Sequence, residues 1–174
     1  MTLPLSRYPL AQSTDVDDAR ARVGDAFCRH QLAPLDGRSS FAARFHGVEL
    51  GDVGLYYLDY GSSVRIDPRD LDDFYLVQVP LDGSAIIAGR GWEMESTTRM
   101  ASILQPGSPV SMRWSNGNRQ LLVHIDSDAL HDRLRRRLGR VPRESIRFDP
   151  SMRLDGDREN AWVRLVKTLV DGVD

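Results

Sequence analysis

The sequence predicts a mainly β fold, a jelly-roll β-barrel or sandwich with one helix before the strands and two after them. Three observations carry this. Between residues 41 and 126, short strand-like runs follow one another, separated by Gly, Pro, Asn and Asp, with no helical pattern between them. Ahead of that stretch and beyond it the apolar spacing becomes helical. The 174 residues suit one domain with a single core, and no repeat, low-complexity segment or linker divides them. The expected organisation is a helix over 15–31, a β-roll over 41–126 and a helical part over 127–174, all in one unit spanning 1–174.

Asp15, Asp17 and Asp18 suit a helix N-terminus, and Val16, Ala19, Val23, Ala26 and Phe27 keep roughly helical spacing until Pro34, which places Cys28 and His30 in the first helix. After the turn "APLDGRSS" come "FAARFHGVEL", "VGLYYLDYG", "SVRIDP", "FYLVQVPLDG", "SAIIAGRG", "WEMES", "TTRMASILQPG", "VSMRW" and "NRQLLVHID". Strands this close together, without helices between them, pair antiparallel. In "SILQPGSPVSMRW" a Pro-Gly-Ser-Pro corner joins an apolar run to one that alternates Val110, Met112 and Trp114 with Ser111, Arg113 and Ser115. Beyond it, Asp126 or Ser127 can cap a helix with Leu130, Leu134 and Leu138 on one stripe, and Gly139 ends it. A last helix places Trp162, Leu165, Val166, Leu169 and Val170 at i, i+3, i+4, i+7 and i+8.

Composition excludes several classes. A net charge of −2 with 28% charged residues gives no overall electrostatic pull towards nucleic acid or an anionic membrane. Cys28 is the only cysteine, so no intrachain disulfide or thiolate cluster forms and a reducing cytoplasm is the expected location. The start "MTLPLSRYPLAQS" lacks the long apolar stretch of a signal peptide, and no apolar run approaches the roughly 20 residues that span a bilayer.

The chemical motifs are weak. The four histidines, His30, His46, His124 and His131, form no His-x-His pair, and neither a metal nor another cofactor is expected. There is no Gly-x-Ser-x-Gly elbow, and Cys28 between Phe27 and Arg29 reads as an inert thiol. "DPRDLDD" reads as a solvated turn, and "GWEMESTTRMAS", despite Gly91, Glu93 and Arg99, as a hairpin rather than a phosphate cradle. In "RLRRRLGRVPR", Arg133, Arg136, Arg137 and Arg140 form the solvated side of a helix, and "VPRESIRFDPS" after it reads as loop, not as the second helix of a DNA-reading pair. No enzyme is expected. What remains is the interior of the roll, which is either filled by side chains or holds one small ligand. Phe41, Ala43 and Phe45 share one strand face, Arg44 and His46 the opposite one.

The stretches "ARVGDAFCRHQLAPL", "FAARFHGVELGDVGLYYLDYG", "DDFYLVQVPLDGSAIIAG", "ILQPGSPVSMRW" and "LLVHIDSDALHDRLRRRLG", then "IRFDPSMRL", in this order resemble the N-terminal effector domain of AraC-type transcriptional regulators, the AraC-binding-like branch with a cupin-type roll. The resemblance runs from about residue 15 to the end; no single motif is specific, and the conjunction is. It implies a cupin-like jelly roll that binds a small-molecule effector, a small organic acid among the candidates, and a homodimer formed through helices beside the roll. It also implies that DNA is read by a separate helix-turn-helix domain absent from this chain, so that the chain is an excised effector domain or a natural stand-alone one. On this footing Arg44, His46 or Arg90 pairs with a carboxylate on the effector, and Tyr57, Tyr75, Trp92 and Trp114 enclose its apolar part. Trp162, Leu165 and Leu169 are the candidate dimer surface, packing back on the roll being the other use of that face. The rival readings are a small cupin-type metal-dependent isomerase or dioxygenase and a stand-alone ligand-binding module.

Overall fold

The chain alternates strands with three helices in the order β1 (Pro9–Ser13), α1 (Val16–Ala26), β2 (His30–Pro34), β3 (Ala43–Leu50), β4 (Val53–Asp59), β5 (Val64–Pro68), β6 (Phe74–Asp82), β7 (Ser84–Gly89), β8 (Trp92–Thr97), β9 (Met100–Leu104), β10 (Ser111–Trp114), β11 (Arg119–Asp126), α2 (Ser127–Leu138), β12 (Ser151–Arg153) and α3 (Asp157–Val173). The structure, a computed structural model, describes residues 3–37, 41–69, 71, 73–139 and 146–174. Asp70 and Asp72 of the acidic turn, Arg140 and the first part of the loop after it lie outside the described residues.

The strands form one antiparallel sheet in the order β1-β3-β4-β11-β6-β9-β8-β7-β10-β5-β2, with β12 added to β9. It rolls up so that its two halves share an interior core: Phe45, Tyr56, Leu58 and Leu122 come from one half, Val64, Ile66, Ile87, Met112 and Trp114 from the other. The Pro-Gly-Ser-Pro corner carries the chain between the halves, from β9, paired with β6, to β10, paired with β7 and β5. Gly107 sits there at φ 66°, a left-handed conformation that Gly adopts without penalty. Helix α1 joins the two edge strands, packs against both and buries Val16, Ala19 and Val23 in the interior.

All nine runs expected as strands are strands, β3 to β11. The first helix is shorter than its spacing suggests. Asp15 caps it, accepting from the backbone N–H groups of Asp17 and Asp18, but it ends at Ala26. Phe27 leaves helical geometry, its ring packing among Phe45, Tyr56, Phe74 and His124. His30–Pro34 then pairs with β5, so Cys28 and His30 are not helical: strand pairing across the sheet outweighs a local helical spacing. β1 and β12 were not legible as strands, and with β2 they extend the sheet beyond 41–126 on both sides.

A second core lies on the outside of the roll. Leu55, Val77, Val79, Leu121 and Val123 point outward from β4, β6 and β11, and Val166 and Val170 of α3 cover them together with Leu5. Asp174 clasps the segment before β1: Leu5 N–H donates to Asp174 Oδ2 at 2.5 Å, and Arg7 Nη1 donates to the Asp174 carbonyl at 2.6 Å. The expected face of α3 therefore divides. Val166 and Val170 are buried and Trp162 is half-buried against the outer core, whereas Leu165 and Leu169 stay 57% and 41% exposed. Helix α2 is capped by Asp126, whose Oδ1 accepts from Ala129 N–H at 2.7 Å, and ends at Gly139 with φ 66°. It buries no residue fully, and Arg133, Arg136 and Arg137 are exposed.

Candidate functional site

Strand alternation aims one set of side chains into the roll, and they leave a cavity of about 50 Å³. Its walls are Leu58 from β4, Ile66 from β5, Leu76 from β6, Met112 from β10 and Leu122 from β11, with Val23 and Phe27 lining it from the α1 side. Polar side chains interrupt this surface at His30, Tyr60, Gln78 and Trp114, with the Cys28 thiol beside them.

His30 Nδ1 lies 3.0 Å from the Cys28 carbonyl oxygen. A carbonyl only accepts, so Nδ1 carries the proton and the neutral ring presents Nε2 as an acceptor. Nε2 is buried and has no partner among the described residues, and neither has the indole N–H of Trp114. An unmet buried polar atom costs about 1–3 kcal/mol, so two of them in one cavity call for a ligand or ordered water. Gln78 is anchored differently, its Oε1 accepting from the Ser102 hydroxyl at 2.9 Å. Gln120, two residues from Leu122 and on the same strand face, is fully buried with both amide atoms unmet among the described residues, which makes the deep end of the roll polar. The Tyr60 ring lies 5.6 Å from that of Trp114, and its burial raises the phenol above the ordinary tyrosine range.

Burial lowers His30 below the usual histidine value of 6.5; the Cys28 hydrogen bond opposes this and the charge of Arg20 reinforces it. His124, stacked on Phe74 at 4.6 Å, is lowered by burial too, against the opposing pull of Glu49, Asp73 and Asp126. The unfolded chain protonates these rings near pH 6.5 and the folded chain only further down, so in this window the unfolded state binds more protons. Stability is therefore complete above about pH 6.5 and declines as the pH falls through the folded-state values. Carboxylates held down by their partners, such as Asp82 by Arg119, respond only at lower pH. Urea midpoints measured between pH 8 and pH 5 are expected to fall, and less steeply in His30→Gln; a flat profile for the unsubstituted chain would contradict burial as the cause.

Of the residues that the sequence put forward for the effector, Trp114 lines the cavity, and Trp92 is half-buried against the interior core without reaching it. The others lie on the far side of the wall. Arg44 Nη1 is 3.5 Å from Asp59 Oδ2, and His46 Nδ1 donates to the Pro4 carbonyl at 2.8 Å with its ring 5.4 Å from Tyr57. The Tyr57 phenol is pushed up to about 12, by burial first and then by Asp59. Tyr75 donates to the Ile146 carbonyl at 2.8 Å, beneath Phe148. Arg90 is exposed in the turn between β7 and β8. The structure thus gathers Arg44, His46 and Tyr57 on the outer face and brings Trp114 together with His30 and Gln78 inside. The missed signals were the alternation of His30 and Leu32 with Gln31 and Ala33, and the glutamines placed within the apolar runs of β6 and β11.

Among the described residues no three His, Cys, Asp or Glu side chains are grouped so as to hold a metal ion, and no helix is long and apolar enough to cross a membrane.

Comparison with known proteins adds a family. The AraC-binding-like domain matches residues 19–174. The chain is 29% identical over 165 residues to the probable thc operon regulatory protein of Rhodococcus erythropolis, a match covering 93% of this chain and 50% of that protein. It is also 29% identical over 115 residues to the XylDLEGF operon transcriptional activator of Pseudomonas putida, covering 66% of this chain and 35% of the activator. The chain thus spans half or less of the length of these curated relatives. Among solved structures, the AraC-like transcriptional activator CuxR superposes with a TM-score of 0.68 at 14% identity, over 90% of this chain and 56% of that one.

Proposed function

Because the chain belongs to the AraC-binding-like domain family, a cupin-like roll similar in sequence to transcriptional regulators, we propose that it is the effector-sensing and dimerising part of a DNA-binding transcriptional regulator. The observation that carries this reading is the interior cavity, apolar in its walls, with the buried Nε2 of His30 and indole N–H of Trp114 unmet among the described residues. A small molecule that satisfies them stabilises one arrangement of the roll, and the response is limited by its differential affinity for the two arrangements. The effector enters the roll, and DNA is contacted by a helix-turn-helix part outside the 174 residues. The dimer forms between two copies through the outward side of α3, where Leu165 and Leu169 are exposed; Trp162 serves the dimer only indirectly, by anchoring the helix.

Sequencing the source gene past the codon for Asp174 tests the proposal. A continuous frame encoding two helix-turn-helix units is the expected result. An immediate stop codon would overturn the regulator reading and leave a stand-alone binding module.

A further inference from the structure

Among the described residues that line the cavity there is no Arg, Lys, Asp or Glu. Phe27, Cys28 and Pro68 are half-buried and the rest of the lining is buried, so the cavity approaches solvent at the bend between α1 and β2. Arg29 and Arg69 flank this mouth, tied by Arg69 N–H donating to the Arg29 carbonyl at 3.1 Å, but both are exposed and neither lines the cavity.

Strand register places the two unmet nitrogens at opposite ends. His30 pairs with Pro68, whereas Trp114 pairs with Val64, which pairs on its other side with Pro34. Four residues of strand rise separate the two levels, about 13 Å along the sheet. His30 thus offers an acceptor near the mouth, and Trp114 offers a donor in the depth.

An ionised carboxylate moved into this lining meets no cation, and an unpaired buried charge costs several kcal/mol. Resting on the effector reading above, we infer that the cavity takes an uncharged, mainly apolar small molecule that donates a hydrogen bond to Nε2 of His30 or accepts one from the indole N–H of Trp114, an amide or hydroxyl compound rather than a carboxylate. This departs from the organic acid that the sequence suggested. The groups expected to hold its carboxylate, Arg44, His46 and Arg90, lie outside the cavity lining. At about 50 Å³ the open space exceeds the roughly 10–15 Å³ that one water requires, and it admits compact molecules first.

Isosteric pairs separate charge from shape. Acetamide against acetate, and propionamide against propionate, compact enough for the space, are titrated calorimetrically into the 174-residue chain at pH 7.5, with xenon, followed by chemical-shift changes, as the apolar control. The amide of at least one pair is expected to bind about a hundredfold more tightly than its carboxylate, and xenon about tenfold more weakly than that amide. His30→Leu and Trp114→Phe address the two ends separately, and loss of one hydrogen bond lowers amide affinity about tenfold relative to that of xenon in at least one of them. A carboxylate that binds as well as its amide would overturn the neutral class and leave the effector reading standing. Amide binding unaffected by either substitution would overturn the hydrogen-bond assignment, and no heat and no melting shift from any probe would overturn both readings.

Discussion

Trp114→Ala is expected to lower stability by about 3–5 kcal/mol, a large share of the roughly 5–15 kcal/mol that holds a domain folded. The side chain is 2% exposed, packs on Tyr60 and bridges the two halves of the roll from β10. Truncation removes its transfer free energy and merges the vacated volume with a cavity already present, and strand-borne neighbours move little to refill it. Trp114→Phe behaves differently. It forgoes some packing but also removes a buried donor that has no partner among the described residues, so its cost is about 1 kcal/mol or less. Urea unfolding of the three chains reads both quantities; equal losses in the two variants would mean that the indole N–H is satisfied in the unliganded protein.

Val166→Asp is expected to detach α3. Val166 is 5% exposed in the outer core with Leu55, Val77 and Val123 of the sheet, and a carboxylate there displaces an apolar side chain from an apolar cluster. An uncompensated buried charge costs about 3–5 kcal/mol, more than a single helix face gains from docking, so the helix leaves while the interior core stays closed. The Asp174 clasp on Leu5 and Arg7 is lost with it. The signature is a loss of helical circular dichroism and a red shift of Trp162 fluorescence ahead of the main transition. Leu165→Glu with Leu169→Glu changes the other side of the same helix: stability is retained, and the dimer proposed above gives way to monomer in sedimentation. A double variant that remains dimeric moves the contact off α3; a Val166→Asp chain with an unchanged urea midpoint shows that α3 contributes nothing to the outer core.

The sequence by itself determined the strands β3 to β11 and helices α2 and α3, because local patterns mark them: Gly or Pro between most of the strands, Asp126 and Gly139 at the ends of α2, and the helical spacing of Trp162, Leu165, Val166, Leu169 and Val170 in α3. It also showed that Val110, Met112 and Trp114 share a face, which is why Trp114 was found. It did not reveal β2, since a five-residue strand that begins at His30 is defined by its partner β5 and not by its own pattern. His30 went unnoticed as a cavity residue with it.

Which face of each strand looks inward was decided only by the tertiary structure. The sheet is covered on both sides, by the interior core and by the outer core under α3, so β4, β6 and β11 are apolar on both faces and alternation carries no label for inside. Tyr56 and Tyr60 turned in while Tyr57 and Tyr75 turned out, although all four read alike in the sequence. The inward set follows from the rolling of the sheet and from the helix laid across its back, contacts made between residues too distant along the chain for any local pattern to record.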